Sequence, residues 1–148
     1  MKMILRLMQL KYRNRIITSS IFANFIIFFY SGVDKLLYFD QFVNNFSKSP
    51  FSPQQYLREV CAAIIFLEIG FSLLLFFDET KRISLIGFGI LSFLFSLYIS
   101  LMIFYSPYLP CSCGGIIDLL SWNEHLVLAI CLFFLSFYSS YLIKNENK

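Results

Sequence analysis

Cys111 and Cys113 stand one residue apart in the run PCSCGG, between Pro110 and the pair Gly114–Gly115. Two thiols that close can bond to each other, hold a metal, or cycle between oxidised and reduced forms. A disulfide wants Cα atoms about 4.4–6.8 Å apart, which positions i and i+2 reach only on a bent backbone. The two glycines supply the backbone freedom for that bend. Strained, exposed disulfides have the higher potentials and are the labile or catalytic ones. Two other readings stay open. With His125, the only histidine of the chain, the pair offers three ligands, enough for an open zinc or copper site but not a closed structural one. A purely structural disulfide is the third.

Four further side chains bear on that choice. Cys61 falls one turn inside the outer end of the second apolar run, and a third thiol near a reactive pair permits exchange between disulfides. His125 opens the last apolar run on the same side, where an imidazole favours a thiolate. Cys131, inside the last run, reads as a small core hydrophobe. Glu68 sits mid-run in IIFLEIGFSLL, where an ionised carboxylate costs at least ~2.5–3.5 kcal/mol. It is expected either to be protonated and bonded to Asn24, at a comparable depth in the first run, or to a serine, or else to handle protons or contact a quinone.

These residues need elements to hold them, and composition says which. The 148-residue chain is 58% hydrophobic and only 14% charged, against about 25% charged in a soluble domain, so a membrane protein is expected. A helix needs roughly 20 apolar residues to cross the hydrocarbon. Four segments approach that: 16–33, 60–77, 83–105 and 126–143. The expected fold is all-α, a four-transmembrane-helix antiparallel bundle forming a single integral membrane domain over 1–148. The first apolar run lacks a small-x-small cleavage site and reads as an uncleaved span. Nine Lys and Arg fall on one side of these spans and three, Lys35, Lys48 and Arg58, on the other. The positive-inside rule then makes both termini cytoplasmic and turns the Cys-x-Cys loop to the periplasm or exterior of a bacterial inner membrane. In the first outer loop, LLYFDQFVNNF keeps apolar residues at helical spacing, as an interfacial helix does. DETKR is short enough only for a tight hairpin. Ser92, Ser96 and Ser100, with Gly87 and Gly89, suit close helix packing with hydrogen bonds between helices. No phosphate-binding loop or basic–aromatic pattern appears, so nucleic acid is not an expected partner.

Taken in order, FFYSGVDKLLYFDQF, FLEIGFSLLL and CSCGGIIDLLSWNEHL resemble the MauE branch of the DoxX-like membrane proteins, over about residues 28–134. The resemblance implies a redox-associated four-helix membrane protein that forms or maintains disulfides during maturation of an exported enzyme, beside an exported thioredoxin-like partner. It carries the family's Cys-x-Cys onto Cys111 and Cys113, the following Gly onto Gly115, and the Trp and His of the last span onto Trp122 and His125. Lys35 and Glu68 match its basic and acidic positions in the first half. Gly114 stands where the family commonly has Phe, and Ala129 where an Asn often follows the His. The expected function is therefore thiol–disulfide exchange by Cys111 and Cys113, with Cys61 and His125 assisting, on exported client proteins. By architectural analogy with the DsbB and vitamin K epoxide reductase bundles, a quinone at Glu68 and Trp122 is the candidate cofactor. A non-enzymatic subunit with a structural disulfide and a metal-handling protein are the alternatives.

Overall fold

A computed structural model describes residues 2–105 and 121–144, with side chains from residue 11 onward. Its elements are α1 (Lys2–Leu37), α2 (Phe39–Ser47), a 3-10 turn (Gln54–Tyr56), α3 (Leu57–Leu74), α4 (Lys81–Tyr105) and α5 (Trp122–Lys144). The protein is all-α. Cys111 and Cys113 lie outside the described residues.

Among the described residues, three helical stretches are long and apolar enough to cross a membrane: Lys11–Leu37, Lys81–Tyr105 and Trp122–Lys144. The second of the four expected spans is not among them. α3 has only 18 residues, and three of these, Arg58, Glu59 and Glu68, are charged.

The four long helices nevertheless pack as one unit. α1 lies against α3 and α5, and α4 lies against α3 and α5. Paired contacts give direction. Gly89 lies beneath Phe137 while Phe93 meets Phe133, so α4 and α5 run antiparallel. Lys35 meets Glu68 and Phe25 meets Phe76, so α1 and α3 do the same. Between them sits a core of Phe28, Leu75, Leu85, Phe88, Leu91 and Leu132, with the Phe28 and Phe88 rings stacked 4.5 Å apart. Outward-facing Phe22, Phe66, Phe76, Phe104 and Phe134 form the apolar exterior that lipid tolerates and water does not.

Close approach comes from glycine. A Cβ on Gly89 would sit 2.5 Å from the Phe137 ring, and one on Gly32 would sit 2.8 Å from Ile69 Cγ1 and 3.3 Å from Glu68 Cβ. The serine ladder behaves differently from expectation. Ser96 and Ser100 donate to the carbonyls of Ser92 and Ser96 on their own helix, at 2.7 and 2.8 Å. That is the usual way a mid-helix serine satisfies its hydroxyl, and it keeps both donors on their own helix.

The expected amphipathic helix in the first connection is present as α2. It packs on α3 and α1 and reaches α4 through Phe46 and Tyr98. The short connection after α3 is a tight hairpin, as expected. Thr80 Oγ1 donates to the Leu74 carbonyl at 2.6 Å, and the Lys81 amide donates to the Phe77 carbonyl at 3.1 Å. On its exposed outer side Lys81 pairs with Asp78, whose carboxyl is held below the usual carboxylate range by the hydrogen bond from that ammonium.

Candidate functional site

α3 buries one stripe, Cys61, Ile65, Glu68 and Ser72, which follows the three- and four-residue spacing of a helix face. Glu68 is fully buried, but its partner is not Asn24. Lys35 Nζ donates to Glu68 Oε1 at 2.6 Å, with both side chains buried. α1 does not stop near Val33 as expected. It runs on to Leu37, and Gly32, one turn before Lys35, lets the two backbones come close enough for the ammonium to reach the carboxylate. The ammonium also faces two rings, 5.4 Å from the Phe42 centroid and 5.1 Å from that of Phe95, distances at which a cation is attracted to a ring face. An acid that alone would be costly in the hydrocarbon thus becomes half of an overall neutral pair.

Asn24 belongs to a separate polar cluster. Its Nδ2 donates to the Ser20 carbonyl at 2.8 Å, and Ser136 Oγ of α5 donates to its Oδ1 at 3.0 Å. This cluster ties α1 to α5 and never meets Glu68.

α5 begins at Trp122, four residues before the expected start, because SWNE forms a capping box. The Ser121 amide donates to Glu124 Oε2 at 2.7 Å, and the Glu124 amide to Ser121 Oγ at 3.4 Å. That reciprocal pair was readable in the sequence as Ser-x-x-Glu. It also sets His125, whose Nδ1 lies 3.2 Å from the Ser121 carbonyl. A carbonyl only accepts, so Nδ1 carries the hydrogen, and in the neutral ring Nε2 is left as an acceptor.

A half-open cleft with about 80 Å³ of free volume brings these groups together. Lys35, Glu68, Ser92 and His125 line it beside Phe28, Phe95 and Leu128. It occupies the C-terminal halves of α1 and α4 and the N-terminal half of α5, which is the end of the bundle where the chain bearing Cys111 and Cys113 leaves α4 and enters α5. Cys61, fully buried on the Glu68 stripe, is near that end too, two turns from Glu68. Cys131 is not the core residue expected; it lies exposed on α5. Trp122 is half-buried at the start of α5 and is not part of the cleft wall. Among the described residues no three His, Cys, Asp or Glu side chains cluster as a metal site.

Long apolar helices with lipid-compatible exteriors, closed around a buried ion pair, define an integral membrane protein of the all-helical class. The chain belongs to the MauE family, that of the methylamine utilisation protein MauE, which it matches over residues 13–142. No match is found among curated proteins or among solved structures.

Proposed function

We propose that this protein exchanges thiols and disulfides at the outer face of a bacterial inner membrane, with Cys111 and Cys113 as the exchanging pair and an exported thioredoxin-like protein as partner, in the maturation of exported proteins. In this reading α3 is the fourth span, its acid neutralised by Lys35. Both termini are cytoplasmic, and the Cys-x-Cys segment faces outward. Counted without the buried Lys35, the basic residues divide nine to two, which sharpens the positive-inside bias.

One observation carries the reading. His125 shares a cleft with a buried Lys–Glu pair at the end of the bundle to which the cysteine segment is attached. Exchange needs such groups. A thiol must lose its proton before its sulfur attacks; the new S–S bond forms as the old one breaks, and the departing sulfur takes up a proton. One complete exchange moves two electrons and two protons between a dithiol and a disulfide.

The test is to make Cys113→Ser and Cys111→Ser in a strain that exports a thioredoxin-like partner. The expected result is a trapped mixed disulfide between the remaining cysteine and the partner, with normal accumulation and lost activity. A structural disulfide gives the reverse, lost accumulation and no trapped species. Full activity in both variants refutes exchange.

A further inference from the structure

α4 and α5 keep one antiparallel register along their shared seam. Gly89 lies beneath Phe137, and one turn on, Phe93 meets Phe133. Carried the other way, seven residues before Gly89 and seven after Phe137, that register brings Arg82 opposite Lys144. Seven residues of helix drift by only about 20°, so both stay on the faces that make the seam. The helices do not part before that point, because Leu85 is fully buried and Ile143 packs against the same core. Arg15 of α1 comes to the same level: it lies nine residues before Asn24, and Lys144 lies eight beyond the Ser136 that bonds to Asn24. All three cations are exposed. Among the described residues Arg82 and Lys144 have no ion-pair partner; Asp78 is taken by Lys81, and Glu79 makes no bridge. Two like charges facing each other repel, and an anion between them turns that repulsion into attraction.

The rest of the seam says what kind of anion. Inward from the cations it is apolar and turned outward: Tyr141, Phe137 and Phe93 are all exposed. From Arg82 to Phe93 the helix rises about 16 Å, close to one leaflet of a ~30 Å hydrocarbon layer. An anion with its charge at the rim and hydrocarbon one leaflet deep is a phospholipid. We propose that the α4–α5 seam binds an anionic phospholipid, its phosphate between the Arg82 guanidinium and the Lys144 ammonium, its acyl chains along Tyr141, Phe137 and Phe93. The guanidinium meets a phosphate with two parallel hydrogen bonds, and the ammonium adds a point charge. Arg15, on the neighbouring helix, adds to the field at the same depth. A zwitterionic lipid brings its own cation to the site and is the poorer ligand. The site rests on helix register and charge, not on thiol exchange, and it holds whichever face of the membrane this end of the bundle occupies.

The test is native mass spectrometry of the full chain released from nanodiscs that hold equal amounts of phosphatidylglycerol and phosphatidylcholine. Wild type is expected to carry phosphatidylglycerol away in preference to phosphatidylcholine. R82Q and K144Q should each lower that preference about fivefold, the factor that one cation contributes at an anionic surface. R82Q/K144Q should lose it altogether. K48Q/R58Q takes two exposed cations from the other end of the bundle and should leave the preference as it was. An R82Q/K144Q protein that retains phosphatidylglycerol like wild type overturns the site. So does an equal loss in K48Q/R58Q, which would mean general attraction between charges rather than a place on the seam. Inorganic phosphate, added in large excess, separates a lipid from a free anion. It is expected to leave the bound phosphatidylglycerol in place; displacement would make the ligand a soluble phosphate and overturn the lipid assignment.

Discussion

Lys35→Met removes an ammonium and leaves the Glu68 carboxylate fully buried with no counter-charge. Taking one partner from a buried pair costs about 3–5 kcal/mol, a hundred- to several-thousand-fold shift toward the unfolded state at about 1.36 kcal/mol per decade. Glu68→Leu strands Lys35 in the same way, between the Phe42 and Phe95 rings. Glu68→Gln is milder, because the amide oxygen still accepts from Nζ; only the charge-assisted part of the bond is lost, about 1–2 kcal/mol. The double variant K35M/E68L removes both charges and fills the space with apolar atoms. It is expected to lie within about 1 kcal/mol of wild type, or to be more stable, as such replacements commonly are. Equilibrium unfolding of the purified protein in mixed micelles measures all four. Melting should drop by roughly 6–20 °C for Lys35→Met and for Glu68→Leu, at about 2–4 °C per kcal/mol, and recover in the double. Singles that sum to the double within ~0.5 kcal/mol mean the two residues are not coupled, and the pair would not be what holds α1 against α3.

Gly32→Ala should loosen the same contact from the backbone side, costing about 1–3 kcal/mol as overpacking does, because its Cβ would meet Ile69 Cγ1 at 2.8 Å. Gly70→Ala, which meets nothing within 4 Å, should be neutral or gain up to ~1 kcal/mol; unfolding midpoints compare the two, and equal losses would refute the packing. Ser121→Ala removes half of the capping box and should cost about 1 kcal/mol, seen as faster amide hydrogen exchange at Glu124 and His125 with the rest of α5 unchanged. Cys131 should react with a lipid-soluble maleimide in folded protein while Cys61 reacts only after unfolding, a difference mass spectrometry of the labelled peptides resolves.

The apolar runs, the hairpin and α2 were legible because each is a local pattern: a period, a length, a pair of turn residues. What failed was register between helices. Asn24 and Glu68 looked level because each stood mid-run, with the first span taken to end at Val33. The helix goes on through Lys35, so α1 and α3 are offset: Phe25 faces Phe76 and Lys35 faces Glu68. Asn24 is therefore level with the hairpin end of α3, about 16 Å along the axis from Lys35 at 1.5 Å per residue. Lys35 itself read as an outer-loop cation, since nothing in a sequence separates a lysine that leaves the membrane from one that turns back toward an acid 33 residues on. The cleft was illegible for the same reason, as it is assembled from four helices.

The Lys35–Glu68 pair also bears on the order in which the chain is made. α1 leaves the ribosome first, and α3, with three charges in 18 residues, is the helix that a translocon would admit least readily. An acid at mid-helix adds about 2.5–3.5 kcal/mol to that step, comparable to what a single buried ion pair returns. In the proposed four-span topology, insertion of α3 would then await a helix already in place, with Lys35 serving during synthesis as a receptor for a segment that cannot settle alone.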